Sequence, residues 1–380
     1  MSNNQKKLRK IRSVEADLIK NDVAFYFDFM EQFSKNKSAN ILVFGIIPYI
    51  SLFTIESYRY IQKILPHYAI ELPKEQELII RASRVRIKLF DDSNNKVNGT
   101  FDLLDEIAKF HEDLYRDNYS NMGIFFYGNH IIGSTHTGLF LSGLRKIELL
   151  EDFGDSIDRI GQVLHTVSRE LGKYLGWVKT LPEFQSVQTN CFKYDTQDFQ
   201  LYYQDVKSEK FLSLSFNKTG NESINYTLLL FLSMTNFIDH LFIRVKISHH
   251  AYSLFKIKFI MLYHLASSLE RLQNYGYPKN ILSDDSKVFL KTILKNEDLK
   301  MIKSKTTLRN IFVHYKIETK ILLDFDFSSD FNFKSLVEYF FNGYKFEEID
   351  NKVNSQIKRI SLILEEWLNW SLNSSEYSQF

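Results

Sequence analysis

The sequence predicts a mainly α protein with a C-terminal helical bundle over residues 216–380 and an N-terminal mainly α or α+β domain over residues 1–215. Three observations carry this. A chain of 380 residues exceeds what one hydrophobic core usually organises. Apolar residues recur every three or four positions through most of the second half. The balance of 44% apolar and 25% charged residues is that of an ordinary globular protein.

Taken in order, residues 13–36 read as a helix opened by Ser13, with Glu15 and Asp17 in its first turn. Asn40–Phe44, Val85–Phe90 and Phe211–Phe216 have the length or alternation of short strands, whereas 101–116 and 155–176 have helical spacing. The cluster Asn217-Lys218-Thr219-Gly220-Asn221 reads as a turn and places the boundary between the two parts. Beyond it, Leu230, Met234, Phe237, Ile238, Leu241 and Val245 mark one helix. Phe255, Phe259, Leu262, Ala266 and Leu269 mark a second, with a break expected at Tyr275-Gly276-Tyr277-Pro278. A third helix is expected from Asp285 to about Ile302, and a short one near Ser335–Phe341. In the last, Ile349, Val353, Ile357, Ile360, Leu364 and Trp367 form a packing stripe, as in a bundle.

Composition removes several function classes. The single cysteine, Cys191, excludes a disulfide framework and any multi-cysteine metal site. The apolar run from Ile41 to Ile55 is shorter than the roughly 20 residues of a membrane span. The polar, basic start MSNNQKKLRKIR has no apolar signal core, so a cytoplasmic location and no membrane partner are expected. A net charge of +2 gives no global signature of nucleic-acid binding. Locally, residues 291–320 carry eight bases against three acids, and 321–350 carry two bases against seven acids. Positive charge is therefore concentrated around one hexapeptide, Arg309-Asn310-Ile311-Phe312-Val313-His314.

An Arg and a His five or six residues apart also occur at Arg159–His165 and Arg244–His249 or His250, so spacing alone selects nothing. Context distinguishes Arg309. A polar Asn310 follows it, then three apolar residues, then His314 and Tyr315. The preceding Thr306-Thr307 pair suits a helix start; with Thr307 as cap, Arg309 falls in the first turn, where backbone amides and the helix dipole favour a phosphate. On a straight helix, five residues rotate a side chain about 140° off the same face, with about 7.5 Å of rise. Arg309 and His314 of one regular helix would then not form a tight pair, so either the helix begins irregularly or two protomers share a site.

Leu308 to Tyr315, with helices before it and a long amphipathic helix after it, resembles the active-site motif of the HEPN superfamily of ribonucleases. The resemblance covers about residues 222–372 and does not reach 1–215. It implies a metal-independent endoribonuclease without cofactors that leaves a 2′,3′-cyclic phosphate and a 5′-hydroxyl, typically a toxin or abortive-infection effector in antiviral defence. It also implies that His314 is the acid/base group, Arg309 stabilises the scissile phosphate, and Asn310 supports the phosphate or the imidazole. Lys303, Lys305, Tyr315 and Lys316 are the expected substrate-binding residues. The expected partners are an RNA substrate, a second copy through the C-terminal domain, and an antitoxin or regulatory protein. In one toxin subgroup a tyrosine two residues after the His is modified; here that position is Lys316. The alternative is a HEPN-like domain that binds RNA or a partner protein without cleaving. A purely structural role also stands, with His314 a satisfied interface residue and Arg309 paired with Asp324, Asp326 or another carboxylate.

Other candidates are weaker. His240, His249, His250 and His264 crowd one region but match no compact zinc spacing. The stretch from Gly128 to Gly138, with His130 and His136, has the small and hydroxyl residues of a phosphate cradle but neither a P-loop nor a G-x-G-x-x-G pattern. A tight loop between packed segments is the expectation there. The bases Lys6, Lys7, Arg9, Lys10 and Arg12 read as a solvated terminus.

Overall fold

A computed structural model describes residues 3–34, 41–68, 71–91, 97–114, 121–144, 157–185, 201–216, 222–244, 250–318, 321 and 332–369. The chain is mainly α with one small sheet. The first helices are α1 (Asn3–Ser34), α2 (Leu42–Ile64), α3 (Lys74–Arg86) and α4 (Val97–Leu114). An antiparallel hairpin of β1 (Met122–Tyr127) and β2 (His130–Ser134) follows, turning on Gly128 at φ 56°. Next come α5 (Thr135–Ser142), α6 (Ile157–Thr180), β3 (Leu201–Val206), α7 (Ser208–Leu214) and α8 (Glu222–Ile238). A π turn over Asp239–Ile243 ends α8. The remainder is α9 (Ala251–Lys279), α10 (Asp284–Leu294), α11 (Glu297–Lys303), α12 (Thr306–His314), α13 (Phe333–Phe340) and α14 (Phe346–Leu368).

Two helices form the centre. Nearly every residue of α8 is buried, whatever its position around the helix, as expected when neighbours surround it on all sides. The segment Glu222–Ile243 is apolar and long enough to cross a membrane, yet 94% of its most apolar window is buried in the protein's own interior. Helix α9 is buried over most of its length, and α1, α10, α11, α12 and α14 pack on it. The stripe expected on α14 is the face that packs, with Ile349, Val353, Ile357, Ile360, Leu364 and Trp367 all fully buried. Residues from Ile11 to Leu368 belong to one continuous core, so elements on both sides of residues 215 and 216 share it. The 217–221 turn lies outside the described residues.

Several local expectations are corrected. Of the Asn40–Phe44 run, Ile41–Phe44 leads into α2 and Asn40 lies outside the described residues; Val85–Phe90 spans the end of α3 and a 3₁₀ turn, and Phe211–Phe216 belongs largely to α7. Short apolar runs do not distinguish a strand from a buried helix, and tertiary burial decided these three for helix. The real strands took their place: β1 pairs with both β2 and β3, in the order β2-β1-β3. Helix α1 starts well before Ser13. Helix α9 runs through Gly276, where Leu282 leaves no room for a Cβ, and through Pro278, which falls in the last turn; it ends at the C-cap Asn280, φ 50°. The helix expected over 285–302 is two helices, divided where Asn296 accepts from the Leu299 amide and caps α11. The Gly128–Gly138 stretch is a hairpin turn, a strand and the capped start of α5, where Ser134 and Thr137 bond reciprocally.

Candidate active site

Helix α12 is held by its apolar face. Leu308, Ile311 and Phe312 are buried, and the Phe312 ring meets Tyr252, Phe255 and Phe259 of α9 edge-on at 5.7–6.0 Å. The helix begins at Thr306 after Lys305, so Thr307 is not its cap. The Arg309 amide already donates to the Lys305 carbonyl at 3.1 Å. The three amides ahead of Arg309, not its own, are those a helix start leaves outside the ladder.

His314 is the last residue of α12. Tyr315 follows at φ 49°, a left-handed cap whose amide donates to the Ile311 carbonyl. This ending turns the imidazole toward α2, where His314 Nδ1 lies 2.9 Å from Glu56 Oε2. The imidazole is 44% exposed and Glu56 only 3%. Arg84 Nη2 contacts the other carboxylate oxygen of Glu56, and Arg59 Nη1 donates to it at 2.8 Å. Burial pushes the Glu56 carboxyl up, but the His314 hydrogen bond and the charges of Arg84, His314 and Arg59 outweigh it and leave the carboxyl below its ordinary value. An ionised Glu56 accepts the Nδ1 proton and directs Nε2 away from the carboxylate, the arrangement that readies an imidazole for proton transfer.

The backbone beyond His314 is tied down by a buried polar cluster. The Tyr315 hydroxyl donates to Asp22 Oδ2 at 2.5 Å and accepts from Lys256 Nζ at 2.7 Å. Lys256 also donates to Asp22 at 2.5 Å, and Ser253 donates to the second Asp22 oxygen at 2.7 Å. Burial first, and then the Asp22 charge, raise the Tyr315 phenol far above its usual range, so it stays a donor. Burial lowers Lys256, against the pull of Asp22. Two residues on, the Ile317 amide donates to Glu15 Oε1 at 2.9 Å. Tyr315, expected on the substrate face, is thus fully buried and cannot touch a substrate in this state. It positions the end of α12 instead.

The other expected site residues are spread around α12. The Arg309 guanidinium lies 5.0 Å from the centre of the Tyr263 ring, whose hydroxyl bonds Thr306 Oγ1 at 2.9 Å. Arg309 Nε is buried with no hydrogen bond among the described residues. Arg309 therefore faces α9 while His314 faces α2, as the helical rotation requires, and no described hydrogen bond joins them. Asn310 is half-buried and Lys316 exposed. Lys303 pairs with Glu270, and Lys305 Nζ lies 5.2 Å from the Phe341 ring centre. Asp324 and Asp326 lie outside the described residues.

The residues around His314 that sequence reasoning missed are Glu56, Arg59 and Arg84. Their one signal was an acid inside the otherwise apolar and hydroxyl-bearing run Ser51–Ser57. Among the other Arg–His matches, Arg244 pairs with Asp239 at 2.9 Å, and His250 with Asp28 at 2.9 Å; unlike His314, His250 is buried. His249 and the Arg159 side chain lie outside the described residues. Comparisons with known family models, with curated proteins and with solved structures find no match.

Proposed function

We propose that this chain is a HEPN-type endoribonuclease that cleaves RNA without a metal in the reaction step. The observation carrying this reading is the half-exposed His314 held through Nδ1 by the buried, ionised Glu56. His314 Nε2 removes the proton of an RNA 2′-hydroxyl, whose oxygen then attacks the adjacent phosphorus. The P–O5′ bond breaks, leaving a 2′,3′-cyclic phosphate and, once the leaving oxygen is protonated, a 5′-hydroxyl. An Arg309 guanidinium stabilises charge developing on the phosphoryl oxygens. Because Arg309 and His314 of one helix face different neighbours, the reading includes a homodimer through the C-terminal region, with the two groups supplied by opposite protomers. Arg12, Lys63 and Lys316 bear on Glu15 near the end of α12, while Arg59 and Arg84 flank Glu56; this basic surround suits a polyanion.

Growth arrest on expression, as a toxin or abortive-infection effector, belongs to the same reading, as do a cytoplasmic location and control by an antitoxin or regulatory protein. The test is cleavage of a mixed RNA pool by the purified chain without added divalent cation, with end-group analysis of the fragments. His314→Ala and Arg309→Ala variants should both lose activity with unchanged far-UV circular dichroism. Full activity in both variants would overturn the proposal. Salt-sensitive RNA binding without products would favour the alternative, a non-catalytic binding domain.

A further inference from the structure

A second cluster brings three distant segments together. His130 opens β2, His240 lies in the π turn after α8, and Glu365 is in the last turn of α14. One nitrogen of each imidazole and one Glu365 oxygen all lie within 4.8 Å of one another. His130 Nδ1 is 2.6 Å from Glu365 Oε1, and the two imidazoles are stacked with centres 3.9 Å apart. His240 is 2% exposed, and its Nε2 is buried with no hydrogen-bond partner among the described residues. A buried imidazole nitrogen without a hydrogen bond is unfavourable, and a ligand at that nitrogen would recover the loss.

The carboxylate is held from behind. Asn236, fully buried on α8, donates to Glu365 Oε1 at 2.9 Å and to the Ile131 carbonyl at 3.0 Å. The Asn236 oxygen in turn accepts from Ser361 on α14. Every polar atom of the Asn236 side chain is thereby used in orienting Glu365, as the supporting partners of metal-binding carboxylates commonly are. The Asp239 carboxylate is also close, with Oδ2 4.0 Å from His240 Nε2 and Oδ1 buried without a hydrogen bond among the described residues.

We infer that His130, His240 and Glu365 form a binding site for one divalent transition-metal ion, zinc by the chemistry of its ligands, that clamps the hairpin and α8 to the end of α14. Two imidazole nitrogens and a carboxylate oxygen are a zinc donor set that leaves a fourth position for water. Two bonds of about 2.0 Å at a tetrahedral angle span about 3.3 Å, so the His130–Glu365 contact opens slightly as both side chains shift toward His240. His130 and Glu365 are the partly exposed members and have room to adjust, while Asn236 and His240 are fixed. The ion takes the place of the proton in the His130–Glu365 contact and bonds the unpartnered imidazole. No residue of this cluster belongs to the His314 site, so the two proposals stand or fall separately.

The test is calorimetric titration of the chelator-stripped full chain with zinc alone, beside the same chain carrying His130→Gln or Glu365→Gln. About one equivalent per chain is expected, with a rise in melting temperature. In either variant the affinity should fall about tenfold or more. Co(II) added to the unsubstituted chain should give visible ligand-field bands that zinc displaces, a readout independent of whether the variants fold. Absence of stoichiometric binding, absence of the Co(II) bands, or equal binding in folded variants would overturn the inference.

Discussion

His314 Nδ1 and Glu56 Oε2 meet at 2.9 Å across 258 residues of sequence, the carboxylate buried and the imidazole half open. A carboxylate in this position fixes both the tautomer and the direction of the ring, so the proposed activity depends on it as well as on the imidazole. Glu56→Gln keeps the shape but can present an N–H toward Nδ1 and favours the wrong tautomer. Single-turnover RNA cleavage should slow on the order of 10²-fold or more, with RNA affinity little changed. An unchanged cleavage rate would remove Glu56 from the mechanism.

The opposite outlooks of Arg309 and His314 predict complementation. Chains carrying Arg309→Ala and chains carrying His314→Ala are each inactive, but a mixed dimer rebuilds one site from the intact residue of each. Unfolding and refolding the two variants together should restore roughly one quarter of the unsubstituted activity, because half the dimers are mixed and each has one complete site. If the mixture stays as inactive as its components, the shared site is wrong.

The Asp22–Lys256–Tyr315 cluster predicts stability effects that depend on which member is removed. Lys256→Met leaves Asp22 buried without its cation and should cost about 3–5 kcal/mol in urea unfolding. Tyr315→Phe removes one hydroxyl and should cost about 1–3 kcal/mol. It should also slow cleavage by loosening the α12 terminus, although Tyr315 never meets the substrate. Equal losses for the two variants would show that the charge pairing is not what matters there.

Acid sensitivity should begin near neutrality. Burial holds His111 down to about 4 and, with the nearby His111 charge, lowers His136 well below its ordinary 6.5; their rings are 4.4 Å apart. Once unfolded, both bind protons below about 6.5, whereas the folded chain does not, so stability falls as the pH drops from there toward 4. The slope approaches about 1.4 kcal/mol per pH unit for each imidazole. Chemical denaturation of the unsubstituted chain and a His111→Phe variant at pH 7, 6 and 5 checks this, with a shallower decline expected in the variant.

Two glycines should respond in opposite senses. A Cβ at Gly45 would lie 2.4 Å from the Phe237 ring, so Gly45→Ala forces α2 away from α8 and should cost about 1–3 kcal/mol. A Cβ at Gly172, within α6, meets nothing within 4 Å, and Gly172→Ala should gain up to about 1 kcal/mol from helix propensity. Thermal melts of both variants decide it.

By itself the sequence determined the mainly α character, most helices of the second half and the buried stripe of α14. These are legible because a helix writes its period into neighbouring residues, and the α14 residues at three- and four-step spacing are those that are buried. Tertiary structure decided the rest. The runs at Ile41, Val85 and Phe211 became helical because burial on several sides, not local alternation, set their conformation. The sequence alone could not show that Tyr315 turns inward, since its left-handed backbone is stabilised by Asp22 on α1 and Lys256 on α9. Nor could it pair His314 with Glu56, or His130 with His240 and Glu365. Such partners lie more than a hundred residues apart, and no periodicity connects side chains that meet only after the helices have packed.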